Sequence, residues 1–151
     1  MPTPAERAAA ILAESGAIVT DSHIVYTSGR HGSAYVNKDA VYPHTERVSE
    51  LCRLLADAVA GRDIDIVCGP ATGAIILSQW TGHHLGRPAV YAEKAAERGM
   101  ALRRGYDQLV AGKRVLLVED VLNTGGSLYE TVRAVAAAGG RVVVAAALVN
   151  R

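Results

Sequence analysis

Residues 115–127 read VLLVEDVLNTGGS, and this stretch decides the fold. Val115 to Val118 form an unbroken apolar run, the pattern of a strand buried on both faces. Two acids, Glu119 and Asp120, close it. Asn123-Thr124-Gly125-Gly126-Ser127 then suits a turn into a helix, which the spacing predicts over 127–138. The first turn of a helix carries unpaired amide hydrogens and the positive end of the dipole. Glycines let such a backbone approach a ligand closely, and Thr and Ser hydroxyls add donors, so the turn reads as a phosphate cradle. Two carboxylates would repel a phosphate that they touched. They fit a ligand that shows them vicinal hydroxyls, as a ribose does, and they can help hold a hydrated metal cation. The segment reads as a sugar-phosphate site. A structural reading competes with it: Ser127 and Glu130 have the S-x-x-E spacing of a capping box, which satisfies a helix start without any ligand. No Gly-Lys-Ser/Thr follows and GxGxxG is absent, so neither nucleotide fingerprint applies.

Working outward, apolar strands and helices alternate. A helix is expected from Pro4 to just before Gly16, then extended chain with a turn at 20–22, a loop at 28–33 and a strand ending at Pro43. A long helix opens at His44 or Thr45; its Val48, Leu51, Cys52, Leu55 and Val59 share one face. Strand 65–69 leads through the GPATG loop into helix 73–85. Strand 88–94 follows, then a polar stretch, 95–112. The strand of 114–120 leads into the glycine turn, and strand 141–149 ends the pattern. Such a chain predicts a Rossmann-like, mostly parallel α/β sheet with helices on both faces. Ligands bind such sheets at the carboxyl ends of strands, which picks out 69–73, 93–105 and 119–127.

The 151 residues suffice for one domain with a substantial core. Half are apolar, which excludes a disordered chain, and a net charge of +1 gives no field for nucleic acid or an anionic membrane. Cys52 and Cys68 lack metal or redox spacing and read as core residues, as a reducing compartment allows. The N-terminal run is amphipathic rather than signal-like, and no segment has the length of a membrane span. These features predict a soluble cytoplasmic protein.

The 115–127 stretch closely resembles the phosphoribosyl-pyrophosphate (PRPP) motif of type I phosphoribosyltransferases. Other segments narrow the resemblance to orotate phosphoribosyltransferases: SGRHGSAYVNKD at 28–39, GPATGAI at 69–75, AEKAAERGMALRRG at 92–105 and ALVNR at 147–151. The resemblance implies one phosphoribosyltransferase domain over 1–151, with a hood-like part at 1–43 and a core at 44–151. It implies transfer of phosphoribosyl from PRPP to orotate with release of pyrophosphate, Mg2+ as cofactor, and a homodimer in which loop 93–105 serves the neighbouring site. Lys94, Arg98, Arg103 and Asp120 are then the expected catalytic residues, with Arg104 beside Arg103 on the loop. Lys38, Ala71, Thr72, Gly73, Glu119, Asn123, Thr124, Gly125, Gly126, Ser127 and Arg151 join Asp120 in binding substrate. Glu119 and Asp120 hold metal indirectly, through ribose hydroxyls or water.

The chain also departs from well-known bacterial orotate enzymes. Their mobile loop carries Arg-Lys, a further Lys and a His, where this chain has Glu93-Lys94, then Glu97 and Gly99. Asn123 stands where some relatives place a base-contacting Thr. These differences keep two alternatives open: a phosphoribosyltransferase for another base, and a non-catalytic PRPP-binding regulatory protein.

Overall fold

Thr3 starts the first helix of the computed structural model, which describes residues 1–151. The Thr3 hydroxyl accepts from the Glu6 amide at 3.2 Å, and the Glu6 carboxylate accepts from the Thr3 amide at 2.6 Å. This reciprocal cap, with Pro4 in the first turn, launches α1 (Pro4–Glu14). The helix belongs to the first of two compact units, Met1–Leu51 and Cys52–Arg151. In that unit β1 (Ile18–Val19) pairs antiparallel with β4 (Tyr35–Val36). Between them β2 (Ile24–Val25) and β3 (His31–Gly32) form a hairpin, so the expected loop at 28–33 is partly strand. The strand expected to reach Pro43 stops at Val36. Its ladder ends where the Asn37 amide donates to the Ala17 carbonyl, and i→i+3 bonds then wind Lys38–Ala40 into a 3-10 turn. Arg7 grips the Glu50 carboxylate with Nε and Nη2 at 2.6 and 2.8 Å, joining α1 to the start of α2 (Thr45–Ala58).

The second unit is built on a five-stranded sheet in the order β7-β6-β5-β8-β9. Its elements are β5 (Ile66–Pro70), α3 (Ile75–Leu85), β6 (Ala89–Lys94), β7 (Met100–Ala101), α4 (Tyr106–Val110), β8 (Arg114–Leu122), α5 (Gly126–Ala137) and β9 (Arg141–Asn150). All neighbours run parallel except β7, which folds back on β6. The polar stretch 95–112 is therefore not a plain loop. It holds a hairpin strand, closed by Ala95 N–H to Gly99 O at 2.9 Å, and a short helix. Gly99 takes φ +81°, a conformation that favours glycine in this tight turn.

From β5 the chain moves through α3 to β6 on one side, and from β8 through α5 to β9 on the other. Right-handed crossovers in opposite directions put α3 and α5 on opposite faces, and the strand order reverses between β5 and β8. The packing agrees. Ile66, Cys68, Val90, Ala92, Val115 and Leu117 form one core layer with Val110 of α4 and Val135 of α5. On the other face Gly82 of α3 presses so close to β6 that a Cβ would stand 2.9 Å from Ala89 Cβ. Cys52, Leu55 and Val59 are buried, as the helical periodicity predicts, and Cys52 Sγ lies 3.8 Å from the Leu77 carbonyl of α3. Burial pushes the Cys52 thiol up to about 11 and that of Cys68 to about 12, which leaves both unreactive core residues.

An ion pair fixes the start of the central strands. Arg114 bonds Asp65 through Nε and Nη2, both at 3.0 Å, and through its backbone amide at 2.8 Å. These bonds hold the Asp65 carboxyl well below the usual carboxylate range. No helix is long and apolar enough to cross a membrane.

Candidate active site

The switch point between β5 and β8 opens a crevice at their carboxyl ends, and the expected loops meet there. Gly69 approaches the start of α3 so closely that a Cβ would be 2.6 Å from the Ala74 carbonyl. The Ala71 amide donates to Ala92 O at 2.7 Å, which ties this loop to the end of β6, and the Ala71–Thr72 peptide is cis. Across the crevice a Cβ on Gly73 would collide with Asp120 Oδ2. The α3 loop and the acid pair therefore share one site.

The alternation of β8 explains the two adjacent acids. Glu119 follows Val115 and Leu117 onto the α5 face, where its Oε2 accepts from Ser127 Oγ at 2.9 Å. Asp120 follows Leu116 and Val118 onto the α3 face, against Gly73. Both carboxylates are buried, at 4% and 8% exposure. Backbone donors hold them: the Asp120 amide to Glu119 at 3.0 Å, the Val121 amide to Asp120 at 2.7 Å. Burial, reinforced by the neighbouring Asp120, raises the Glu119 carboxyl to about 7. Burial thus disfavours the Glu119 charge in the ligand-free site, and a bound ligand with hydroxyl donors or positive charge would favour it.

The capping-box reading of Ser127 fails. The N-cap of α5 is Gly125, at φ +81°, which has no side chain to cap with, and only the Gly126 amide finds a side-chain acceptor, Thr124 Oγ1 at 3.4 Å. Ser127 gives its hydroxyl to Glu119, while Glu130 faces the hairpin, with its Oε2 2.8 Å from where a Gly99 Cβ would stand. Asn123, Thr124, Gly126 and Ser127 are exposed. An exposed glycine-rich helix start that lacks a capping residue at its N-cap is the arrangement an anion needs.

The basic residues are divided. Lys94 and Arg98 line a cavity of about 310 Å³ with Ser127 and Glu130, on the α5 side. Arg103 and Arg104 instead pair with Glu93, at 3.6 and 3.2 Å, and Arg104 lies 5.8 Å over the Tyr91 ring. Glu93 is the residue that sequence reasoning passed over. Its signal was the alternation of β6, which sends Tyr91 and Glu93 away from the Val90–Ala92 core layer. The Arg151 amide donates to Leu122 O at 2.9 Å, which places Arg151 at the carboxyl end of the sheet beside the turn. Lys38 lies in the first unit, with Nζ 4.0 Å from the Asp39 carboxylate. Trp80 of α3 stacks on His84 and is half-buried.

No group of three His, Cys, Asp or Glu side chains forms a metal cage. The donor set nevertheless fits Mg2+, which binds through one or two carboxylates while substrate oxygens and water complete its shell. An acid pair on one strand end and a glycine-rich helix start, side by side at the switch point, make an α/β domain whose site suits a sugar phosphate. The profile of the phosphoribosyl transferase domain matches residues 37–151. An orotate phosphoribosyltransferase of Pelotomaculum thermopropionicum is 43% identical over 143 residues, covering 94% of this chain and 73% of that protein. One from Bartonella tribocorum is 38% identical over 136 residues, covering 88% and 69%. The crystal structure of Mycobacterium tuberculosis orotate phosphoribosyltransferase in complex with PRPP has a TM-score of 0.75 and 30% identity, covering 99% of this chain and 84% of that one. The chain belongs to the phosphoribosyltransferase family and has its type I fold.

Proposed function

We propose that this protein transfers phosphoribosyl from PRPP to orotate, giving orotidine 5′-monophosphate and pyrophosphate. The observation that carries this reading is the contact of Gly73 with Asp120, which joins the α3 loop to the acid pair, beside the bond by which Ser127 Oγ donates to Glu119 from the glycine turn. In this reading Glu119 and Asp120 accept from the ribose hydroxyls, and their charge favours the positive ring that develops as pyrophosphate leaves. The amides of Gly125, Gly126 and Ser127, with the Thr124 and Ser127 hydroxyls, bind the 5′-phosphate. Ala71, Thr72 and Gly73 offer backbone to the pyrophosphate, and Lys94, Arg98 and Arg103 offset its charge. Asn123 and Arg151 read the base. Glu119 and Asp120 would hold Mg2+ indirectly, through ribose hydroxyls or water, and the ion would supply charge neutralisation at the pyrophosphate.

The chain is a single phosphoribosyltransferase domain, with a hood-like part at 1–43 and a core at 44–151. The protein works in the cytoplasm as a homodimer whose 93–105 segment serves the partner's site. The orotate phosphoribosyltransferase relatives, matched over most of the chain, support the choice of base. A panel of bases tests it: with PRPP and Mg2+, orotate yields its nucleotide while uracil, adenine and hypoxanthine yield none. Nucleotide from another base and none from orotate would overturn the assignment.

A further inference from the structure

We propose that His23 and His31 form an open, two-imidazole site for a late first-row divalent cation, with Cu2+ preferred over Ni2+ and Zn2+. His23 Nε2 and His31 Nδ1 face each other at 2.7 Å. Their ring centroids are 4.8 Å apart and the planes are tilted by 57°. The backbone dictates this meeting. The ladder pairs Ile24 with Gly32 and Val25 with His31, so His23, one residue before β2, lies diagonal to His31 on the same hairpin face. Val25, on that face between them, is 62% exposed.

The other face is held by Tyr26. Its ring lies across Gly32, where a Cβ would collide with it, and its hydroxyl donates to Ala34 O at 2.6 Å. The bond from the Tyr26 amide to Arg30 O, at 2.9 Å, closes the tip. The two imidazoles therefore project from a braced hairpin.

Two nitrogens bound to one cation at adjacent positions lie roughly 2.9–3.4 Å apart, given metal–nitrogen bonds of about 2.0–2.1 Å. The pair must open by only a few tenths of an ångström to admit one. At present one ring donates N–H to the lone pair of the other. When a cation enters, that proton moves to the second nitrogen of its own ring, both imidazoles stay neutral and both lone pairs point at the metal. No third His, Cys, Asp or Glu joins them, so water or an added chelator fills the remaining positions. Borderline nitrogen ligands rank the divalent cations with Cu2+ at the top. The site lies wholly within Met1–Leu51.

The test is titration of the full chain with Cu2+, followed by calorimetry and electron paramagnetic resonance. The expected result is one strong equivalent with hyperfine coupling to two imidazole nitrogens. His23→Ala and His31→Ala should each weaken it about tenfold or more, because the surviving ring loses its tethered partner. His83→Ala and His84→Ala, with far-ultraviolet circular dichroism unchanged throughout, should leave it intact. A one-nitrogen spectrum in the parent, or loss with His83→Ala but not His23→Ala, would overturn the proposal.

Discussion

Gly73 lies against Asp120, so close that the smallest side chain at Gly73 would occupy the space of Asp120 Oδ2. This contact joins the loop after β5 to the acid pair of β8 across the switch point. Gly73→Ala should therefore push Asp120 out of place while leaving the distant core alone. Displacing a reacting group by about an ångström can cost roughly 100-fold, and a kcat/KM loss of that order is expected. Circular dichroism and the Tm should stay near those of the parent. Full activity in Gly73→Ala would show that Asp120 needs no fixed position.

The raised Glu119 carboxyl makes stability and binding depend on pH in opposite ways. Below an ordinary pKa of 4.5 the group is protonated folded or unfolded, and its contribution is fully present. As pH rises through about 7, the ligand-free fold must carry a buried charge, and stability falls. Glu119→Gln should thus melt higher than the parent at pH 8, by on the order of 1–2 kcal/mol, with the gain gone below pH 4.5. PRPP with Mg2+ should release protons near pH 7, so that binding heats differ between phosphate and Tris buffers. Equal heats in the two buffers would show that Glu119 gives up no proton on binding.

Asp65 has the opposite sign. Hydrogen bonds from Arg114 lower its pKa, so the stability it gives is present above the ordinary value of 3.8 and is lost as pH falls further. Asp65→Asn should lower the Tm at pH 7, and the deficit should shrink in acid below pH 3.8. A pH-independent deficit would mean that packing, not ionisation, carries the effect.

Arg103 and Arg104 share Glu93 on an exposed hairpin, where ion pairs add little to stability. Arg103→Ala should leave the Tm almost unchanged and reduce kcat with PRPP about tenfold or more, as the loss of one charge-stabilising group does. Unchanged kcat in Arg103→Ala would move the role to Lys94 and Arg98.

Much of this was legible in the sequence because each large element carried its own signal. The periodicity of Val48 to Val59 located α2, and the apolar run at Val115 located β8. The glycine turn located the start of α5. The unforeseen features depend on tertiary partners. The β6–β7 hairpin rests on two ladder pairs, Glu93 with Ala101 and Lys94 with Met100, in a segment too polar to read as strand. Ser127 and Glu130 have capping-box spacing, yet Ser127 donates to Glu119 from a neighbouring strand, which no local pattern encodes. The short strands of the first unit left too few residues for any period to appear.

The central claim is that the acid pair, the α3 loop and the glycine turn form one site for phosphoribosyl transfer to orotate. Its most direct test is the ultraviolet absorbance of orotate mixed with PRPP, Mg2+ and the protein, run beside Asp120→Asn. The orotate band should fall steadily with the parent and stay unchanged with Asp120→Asn, which should also fail to bind PRPP in calorimetry. An unchanged orotate band in a parent that binds PRPP, or an Asp120→Asn variant as active as the parent, would contradict it.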